Sequence, residues 1–339
     1  MDYFGLDIGS QNIKITQLRK KNDSYSLVAL GLSPVVKSLD SELEKDLLTI
    51  AETIKKLVRA TKITTKNVVA SLPEDKVFTQ IVDFPPMGEK ELASAIRWEA
   101  EQYVPIPLSE AVIDYQLFDE PSKGSNDRRE IFLVATPKVL IGKYVKILEM
   151  AGLKPVALET EMIALSRCLT NVDSPCSMII DLGARATDIA LTNLGQVILT
   201  RSLPSAGETI TRALVGALGL KEMQAEQYKR AYGVDESKLE GKIKEAMSPI
   251  LEVVIEEIKK VISFAQSQQK CSQVEKIILT GGTAHLPQIV SLFAEKTGIE
   301  VQVGDPFSKI QGAQEIISRI EKGSTSLYPI AFGLAMKPL

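Results

Sequence analysis

Asp181 closes the apolar run Met178-Ile179-Ile180, and a glycine follows two positions later at Gly183. A short turn, Ala184-Arg185-Ala186-Thr187-Asp188, leads back into apolar Ile189-Ala190. This pattern predicts a buried strand, a tight turn and a second strand. Glycine lets backbone approach a ligand closely, and the amides after it can face an anion. A carboxylate at the strand end suits a hydrated divalent cation. The same pattern opens the chain as Phe4-Gly5-Leu6-Asp7-Ile8-Gly9-Ser10-Gln11-Asn12-Ile13. Setting Asp7 on Asp181 matches Gly9 with Gly183 and Ile15 with Ile189. One phosphate-type turn written twice predicts two related domains facing a shared nucleotide.

Other residues with chemistry lie nearby in pattern. Lys14 follows the first turn and is placed either near the phosphates or on a strand surface. Glu161 precedes an apolar helical run; it would either position a water for attack on a phosphoanhydride or favour the helix N-terminus. Gly281-Gly282-Thr283 ends the strand-like Lys276–Thr280, a place where backbone can lie flat against a flat ligand. Glu226 and Lys229, three apart, share a helix face. His285 is the only histidine, which makes a Ser-His-Asp triad or a multi-histidine metal site very hard to build, and it reads as a helix-start residue. Cys168, Cys176 and Cys271 have neither metal-ligand nor disulfide-framework spacing and are expected in the core of a reduced protein.

The 339 residues allow roughly two to three domains. A net charge of −3 provides no global basic field, which argues against nucleic acid as a partner. The N-terminus enters a strand without a signal-peptide pattern, and no run reaches the roughly 18 apolar residues that span a bilayer. Direct membrane insertion is therefore not expected, and a membrane role would need another protein as tether.

The elements that must hold these residues read as follows. Residues 3–8, 13–19 and 25–36 are three strands. A helix over Ser41–Thr61 takes Ser41 as its N-cap. Val68–Leu72 and Val77–Val82 extend the same sheet, until Phe84-Pro85-Pro86-Met87 breaks it. Then come helix Glu89–Tyr103, with Leu92, Ile96, Ala100 and Tyr103 on one side, strand Ala111–Phe118, a polar loop Glu120–Arg129, strand Ile131–Thr136 and helix Lys138–Ala151. Residues 84–158 read as an inserted α+β unit whose aromatic, proline-bordered rim suits partner binding. Ala157–Glu161 leads into helix Met162–Thr170. The second half runs through strand Gln196–Ser202, helices Glu208–Gly219 and Glu222–Tyr232, and a long helix from Ser248-Pro249 to about Gln268. Strands Lys276–Thr280 and Glu300–Val303 and an apolar helix over Tyr328–Met336 complete it.

The order of these motifs resembles the actin-like ATPase superfamily. Asp7-Ile8-Gly9-Ser10 is similar to its first phosphate motif and Asp181-Leu182-Gly183 through Asp188 to its second. Leu279-Thr280-Gly281-Gly282-Thr283 is similar to its adenosine motif, and Ala157–Leu169 and Ile330–Met336 to its connecting helices. Within the superfamily, Phe84-Pro85-Pro86-Met87, Ala95-Ile96-Arg97-Trp98-Glu99-Ala100-Glu101-Gln102-Tyr103-Val104-Pro105 and Asp114-Tyr115-Gln116 resemble the PilM-type type IV pilus assembly proteins, relatives of FtsA.

The resemblance implies an α/β actin-like fold of two duplicated domains around a nucleotide cleft. The first covers 1–83, completed by 159–172 and 326–339; the insert covers 84–158. The second covers 173–217, completed by 274–325, with a helical subdomain at 218–273. It implies ATP with Mg2+ held through water by Asp7 and Asp181. Backbone at Gly9, Ser10, Gln11 and Gly183 would meet phosphates, beside Asn12 and Lys14. Gly207, Glu226 and Lys229 would line ribose and adenine, and Gly281, Gly282 and Thr283 the base. It also implies a pilus-platform scaffold, cytoplasmic and peripheral to the inner membrane, gripping the N-terminal peptide of a PilN-type membrane protein around Phe84, Pro85, Met87, Trp98, Tyr103 and Pro105. Where superfamily ATPases carry Gly-Gly-Thr or Gly-Gly-Gly, this chain has Ala184-Arg185-Ala186, which implies slow ATP turnover or none. An active ATPase, a sugar-kinase-like phosphotransferase with Asp188 as base, and a self-associating, filament-forming protein stay open alternatives.

Overall fold

Phe4-Gly5-Leu6-Asp7-Ile8 is buried along its whole length, and as β1 (Phe4–Ile8) it forms the middle of a five-stranded sheet. A computed structural model describes residues 1–22, 24–85, 87–118, 129–268, 270–318, 320 and 323–339 of the chain. β2 (Asn12–Lys21) and β3 (Ser24–Pro34) follow as an antiparallel meander, and then α1 (Glu44–Ala60). β4 (Asn67–Leu72) returns parallel to β1. Ser41 stands just ahead of α1 rather than at its cap, which is Leu43. Its hydroxyl accepts from the Leu43 amide and donates to Asp46 at 2.6 Å, which ties the entering chain to the first turn without capping the helix.

The expectation that the next strand stays in this sheet is corrected. β5 (Phe78–Phe84) pairs with β7 (Arg129–Pro137), which pairs with β6 (Ala111–Leu117), and these three strands are a separate antiparallel sheet. The chain has therefore left the first sheet before Pro85. α2 (Glu89–Tyr103) covers this small sheet, packing Leu92, Ile96 and Ala100 on Val82, Phe84, Ile131 and Leu133. Tyr103 leaves that stripe and is exposed. The polar loop expected at Glu120–Arg129 lies almost wholly outside the described residues, as does Pro86. α3 (Lys138–Met150) departs from the insert too. Its Tyr144, Ile147 and Leu148 share a core with Ile50 and Ile54 of α1. β8 (Lys154–Thr160), where the sequence suggested only a lead-in to a helix, pairs with β4 and completes the first sheet in the order β3-β2-β1-β4-β8.

α4 (Glu161–Leu169) crosses to the second half. There β9 (Ser177–Leu182), β10 (Thr187–Asn193) and β11 (Gln196–Leu203) repeat the meander. Three helices follow, α5 (Gly207–Leu218), α6 (Glu222–Tyr232) and α7 (Lys242–Ser267). α7 begins about two turns before Pro249, which lies in its interior. An interior proline removes a backbone hydrogen bond. The burial of Ile243, Met247 and Leu251 on either side of it holds the helix together. β12 (Lys276–Thr280), α8 (Ile289–Thr297) and β13 (Glu300–Val303) complete a sheet ordered β11-β10-β9-β12-β13. The two five-stranded sheets thus share one topology, strand for strand. His285 is an exposed turn residue four positions before α8, not its first residue.

The short α9 (Gln314–Ile317) leads to α10 (Pro329–Ala335). α4 and α10 lie between the two sheets, where Met162, Leu165, Ile330 and Leu334 form one cluster with Val69, Ile179 and Ile278. They cross so closely that a Cβ on Gly333 would stand 1.8 Å from the Ala164 carbonyl oxygen. Arg167 of α4 ties the crossing, donating to Gly333 O at 2.7 Å and pairing with buried Glu159, which also meets Lys337 at 2.9 Å. Cys176 and Cys271, expected as separate core thiols, are joined in a disulfide. Ninety-five residues separate them, but β9 begins where the chain after α7 returns to the sheet, and the Glu275 amide donates to Cys176 O at 3.0 Å. Cys168 is free and buried, its thiol pushed up to about 12 by that burial.

Candidate functional site

The two Asp-x-Gly sequences fold into the same device. In the first, the Gly9 amide donates to Asn12 O at 3.0 Å and closes the β1–β2 turn. In the second, the Gly183 amide donates to Ala186 O at 3.1 Å and closes the β9–β10 turn. These two glycine amides are therefore spent on their own turns, a correction to their expected role as phosphate donors. Ser10 and Gln11 form the tip of the first turn and Ala184 and Arg185 that of the second, and all four line the cleft. Both turns line one cleft of about 850 Å³ between the halves. Asp7, Asn12, Lys14, Glu161, Asp181, Asp188, Gly281 and Gly282 line it as well.

Asp7 is fully buried on the central strand. Lys14 is its cross-strand partner, and Nζ meets Asp7 Oδ2 at 2.7 Å. Lys14 is itself 9 % exposed, so it is a buried cleft cation and not a strand-surface lysine. Burial alone would lower its pKa, but Asp7, with Asp181 and Glu161 adding, raises it overall. The Ser71 hydroxyl donates to Asp7 Oδ1 at 3.1 Å. Its counterpart in the second half is Thr280, paired in register with Asp181. Neither hydroxyl was singled out from the sequence; a polar residue ending an apolar strand beside each aspartate was the available signal.

The remaining walls are acidic. Burial first, and then the charge of Asp7, raise the Asp181 carboxyl to about 6 against the opposing pull of Lys14. Burial and then Asp7, Asp188 and Asp181 hold Glu161 well above the carboxylate range. Asp188 is cross-strand from Asp181 and is likewise held well above its usual value by burial, then by Asp181 and Glu74. Its Oδ1 is buried without a hydrogen-bond partner. Glu74, also missed, is 4 % exposed and raised by burial; its amide donates to Glu161 Oε2 at 3.3 Å and its Oε2 accepts from the Met162 amide at 3.4 Å. Carboxyls therefore outnumber cations here, and an added cation would relieve them. Among the described residues, no three His, Cys, Asp or Glu side chains converge to hold a metal by themselves. This acidic wall fits a cation whose remaining ligands come from water or a bound anion.

Gly281 turns with φ +86°, and a Cβ there would stand 2.4 Å from Asp181 Oδ1. The adjoining glycine pair thus lies against the second aspartate, with Ser326 and Leu327 completing that end of the cleft. Gly207, Glu226, Lys229 and Thr283 gather behind the second turn rather than along the cavity wall. Lys229 Nζ donates to Gly207 O at 2.9 Å and to Thr211 at 2.8 Å, and pairs with Glu226 at 2.6 Å. A Cβ on Gly207 would meet Thr283 Oγ1 at 3.1 Å and Gly183 O at 3.2 Å.

On the insert, Trp98 is 67 % exposed, and Tyr103, Pro85 and Pro105 are exposed beside a half-buried Met87. Phe84 is 5 % exposed and packs within the insert's own core, so it offers no ring to a partner. A second cavity of about 350 Å³ lies where Phe118 and Phe132 of the insert meet Ile163 and Arg167 of α4 and Val197 of β11.

Two sheets of one topology, two connecting helices and a cleft between paired aspartate turns define an actin-like fold. The chain matches the family model of the type IV pilus assembly protein PilM over residues 5–339, and it belongs to that family. A solved PilM-PilN type IV pilus biogenesis complex contains a chain that is 24 % identical, covering 100 % of this chain and 99 % of that one, with a TM-score of 0.84. The cell division protein FtsA of Bacillus subtilis is 20 % identical over 90 % of this chain and 78 % of its own. MreB 5 of Spiroplasma citri, solved bound to AMPPNP, is 15 % identical, covering 98 % of this chain and 94 % of that one at a TM-score of 0.50. Among the described residues no helix is long and apolar enough to cross a membrane.

Proposed function

We propose that this chain is an ATP-binding scaffold of the type IV pilus assembly platform, cytoplasmic and held at the inner membrane by a PilN-type protein whose N-terminal peptide it grips. The observation that carries the nucleotide reading is the pair of Asp-x-Gly turns facing one cleft of about 850 Å³. MreB 5 bound to AMPPNP shares the fold, which supports it. Mg2+ would be held through water by Asp7 and Asp181, supplying positive charge to the phosphates. The tip amides at Ser10, Gln11, Ala184 and Arg185 would meet phosphate oxygens, and Gly281-Gly282 would lie against the base. Gly207, Glu226 and Lys229 would support the ribose side from behind the second turn.

Glu161 lines the cleft and would orient an attacking water. Burial and then Asp7, Asp188 and Asp181 raise its pKa, and the Ala184-Arg185-Ala186 turn, with less backbone freedom than a glycine-rich one, supports slow turnover or none. Nucleotide binding would then act by closing the halves on each other, and closure would alter the grip of the insert on its partner. The complex named for PilM and PilN supports the partner reading. Its seat would be the insert's outer strip at Trp98, Tyr103, Pro105, Pro85 and Met87, continuing toward the cavity between the insert and α4.

The test is fluorescence anisotropy of a labelled N-terminal peptide from the PilN-type protein of the same organism. Titration with the full chain, with and without Mg-ATP, is compared with Trp98→Ala. Saturable binding weakened about tenfold in the variant is expected, the size of a central aromatic anchor. No binding by folded protein in either state would overturn the partner assignment.

A further inference from the structure

Arg185 occupies the tip of the second turn, between two alanines, and lines the cleft. Its Nη1 lies 2.5 Å from Asp40 Oδ2 and 3.2 Å from Ser38 Oγ, both in the β3–α1 connection of the opposite half. Its Nε is 3.9 Å from Glu208 Oε2 at the start of α5. The guanidinium thus bridges the two halves beside the cleft. Gly281, Gly282, Ser326 and Leu327 line the same cleft.

Among the described residues four cations line the cleft, and Lys76 and Lys143 pair with Asp75 at 3.0 Å and Glu42 at 2.8 Å within the first half. Lys14 and Arg185, at the two turns, differ in what they can do. Lys14 is buried and committed to buried Asp7 at 2.7 Å. Arg185 and Asp40 have side chains 45 % and 66 % exposed. An ion pair so exposed stabilises little and separates readily. A guanidinium binds a phosphate through two parallel hydrogen bonds, a stronger contact than a solvated carboxylate pair. A nucleotide whose phosphates meet the second turn brings them beside Arg185, which stands at the tip of that turn and lines the cleft. A wall containing Asp7, Glu161, Asp181 and Asp188 leaves those phosphates in need of a cation that can turn to them.

We propose that Arg185 reads the terminal phosphate of a nucleoside triphosphate in this cleft, exchanging Asp40 for it and so coupling occupancy to the contact between the halves. This inference rests on the nucleotide reading above. It also accounts for the Ala-Arg-Ala turn, in which a side chain supplies what backbone freedom would otherwise supply.

The experiment is isothermal titration calorimetry of the full chain with Mg-ATP and Mg-ADP, on the wild type, Arg185→Ala, Arg185→Lys and Asp40→Ala. These side chains are solvent-exposed, and circular dichroism checks folding. Arg185→Ala is expected to weaken ATP about tenfold and ADP less than about twofold, the loss of one charge-assisted contact. Arg185→Lys falls between, because lysine retains charge without the fork. Asp40→Ala tightens ATP by roughly threefold, the scale of an exposed pair, and leaves ADP unchanged. Equal losses for ATP and ADP in Arg185→Ala, or no loss, overturn the terminal-phosphate assignment while the cleft reading stands. Unchanged ATP affinity in Asp40→Ala overturns the exchange. A wild type that binds neither nucleotide overturns the cleft reading and this inference with it.

Discussion

Replacing Lys14 with methionine tests whether the cleft is built around a buried ion pair. The wild-type contact is 2.7 Å between an ammonium with an 11 % exposed side chain and a carboxylate with none exposed. The lysine tip also packs under the first turn, since a Cβ on Gly9 would stand 2.8 Å from Nζ. Methionine keeps most of the volume and removes the charge. Asp7 is then left with the Ser71 hydroxyl, beside the carboxyls of Asp181 and Glu161. Removing one partner of a buried pair costs about 3–5 kcal/mol, because the other charge stays buried without compensation. At about 2.1 cal/mol/K of unfolding entropy per residue, that is a fall of roughly 4–7 °C in Tm for a chain of 339 residues. Asp7→Asn with Lys14→Met removes both charges and recovers part of the loss, with a coupling of about 1–3 kcal/mol. Urea denaturation followed by circular dichroism measures all three variants. A Lys14→Met protein within about 1 kcal/mol of wild type, or a double variant that is simply additive, would show that the pair does not hold the cleft together.

Gly333→Val drives two methyl groups and a Cβ into a contact that already measures 1.8 Å for the Cβ alone, and it should destabilise by about 3 kcal/mol or more on thermal denaturation. An unchanged Tm would mean that α4 and α10 separate freely. Asp181 has a folded pKa raised to about 6 from 3.8, so its folded form binds more protons than the unfolded chain in between. Its contribution is fully present below about pH 3.8 and is lost as pH rises through about 6. Asp181→Asn should therefore flatten the dependence of Tm on pH in that window, and an unaltered slope would contradict a carboxyl raised by burial. Reduction of Cys176–Cys271, which spans 95 residues, should lower stability by about 2–4 kcal/mol, read from denaturation with and without dithiothreitol. Equal midpoints would show that the bond does not constrain the unfolded chain.

The repeated Asp-x-Gly sequences, their flanking apolar runs and the paired glycines after Lys276–Thr280 were sufficient to place two similar sheets and the turns between them. Each of these signals is local: alternation, a glycine where backbone must turn, a carboxylate at a strand end. The stripe of Leu92, Ile96 and Ala100 marked α2 and its buried face for the same reason. What lay beyond the sequence depends on contacts between distant segments. β5 reads as a strand in isolation, but only its pairing with β7 assigns it to the insert. β8 follows α3 by a few residues and is a half-buried edge strand without alternation, so only its pairing with β4 marks it as part of the sheet. Ser248-Pro249 resembles a helix start, yet packing on both sides of it carries α7 through the proline. Cys176 and Cys271 have uninformative spacing, since a disulfide depends on spatial proximity and not on separation along the chain.

The site divides along the same line. Sequence alone established which residue types stand at the cleft: two aspartates, two tight turns, a lysine after the first and an arginine within the second. Folding set their states. It buried Lys14 against Asp7, brought Glu74, Glu161 and Asp188 together so that burial and neighbouring charge raise their pKa values, turned Phe84 inward, and set Arg185 against Asp40 across the mouth. Residue identity is a property of one position, whereas burial and charge pairing belong to the space that several distant segments enclose.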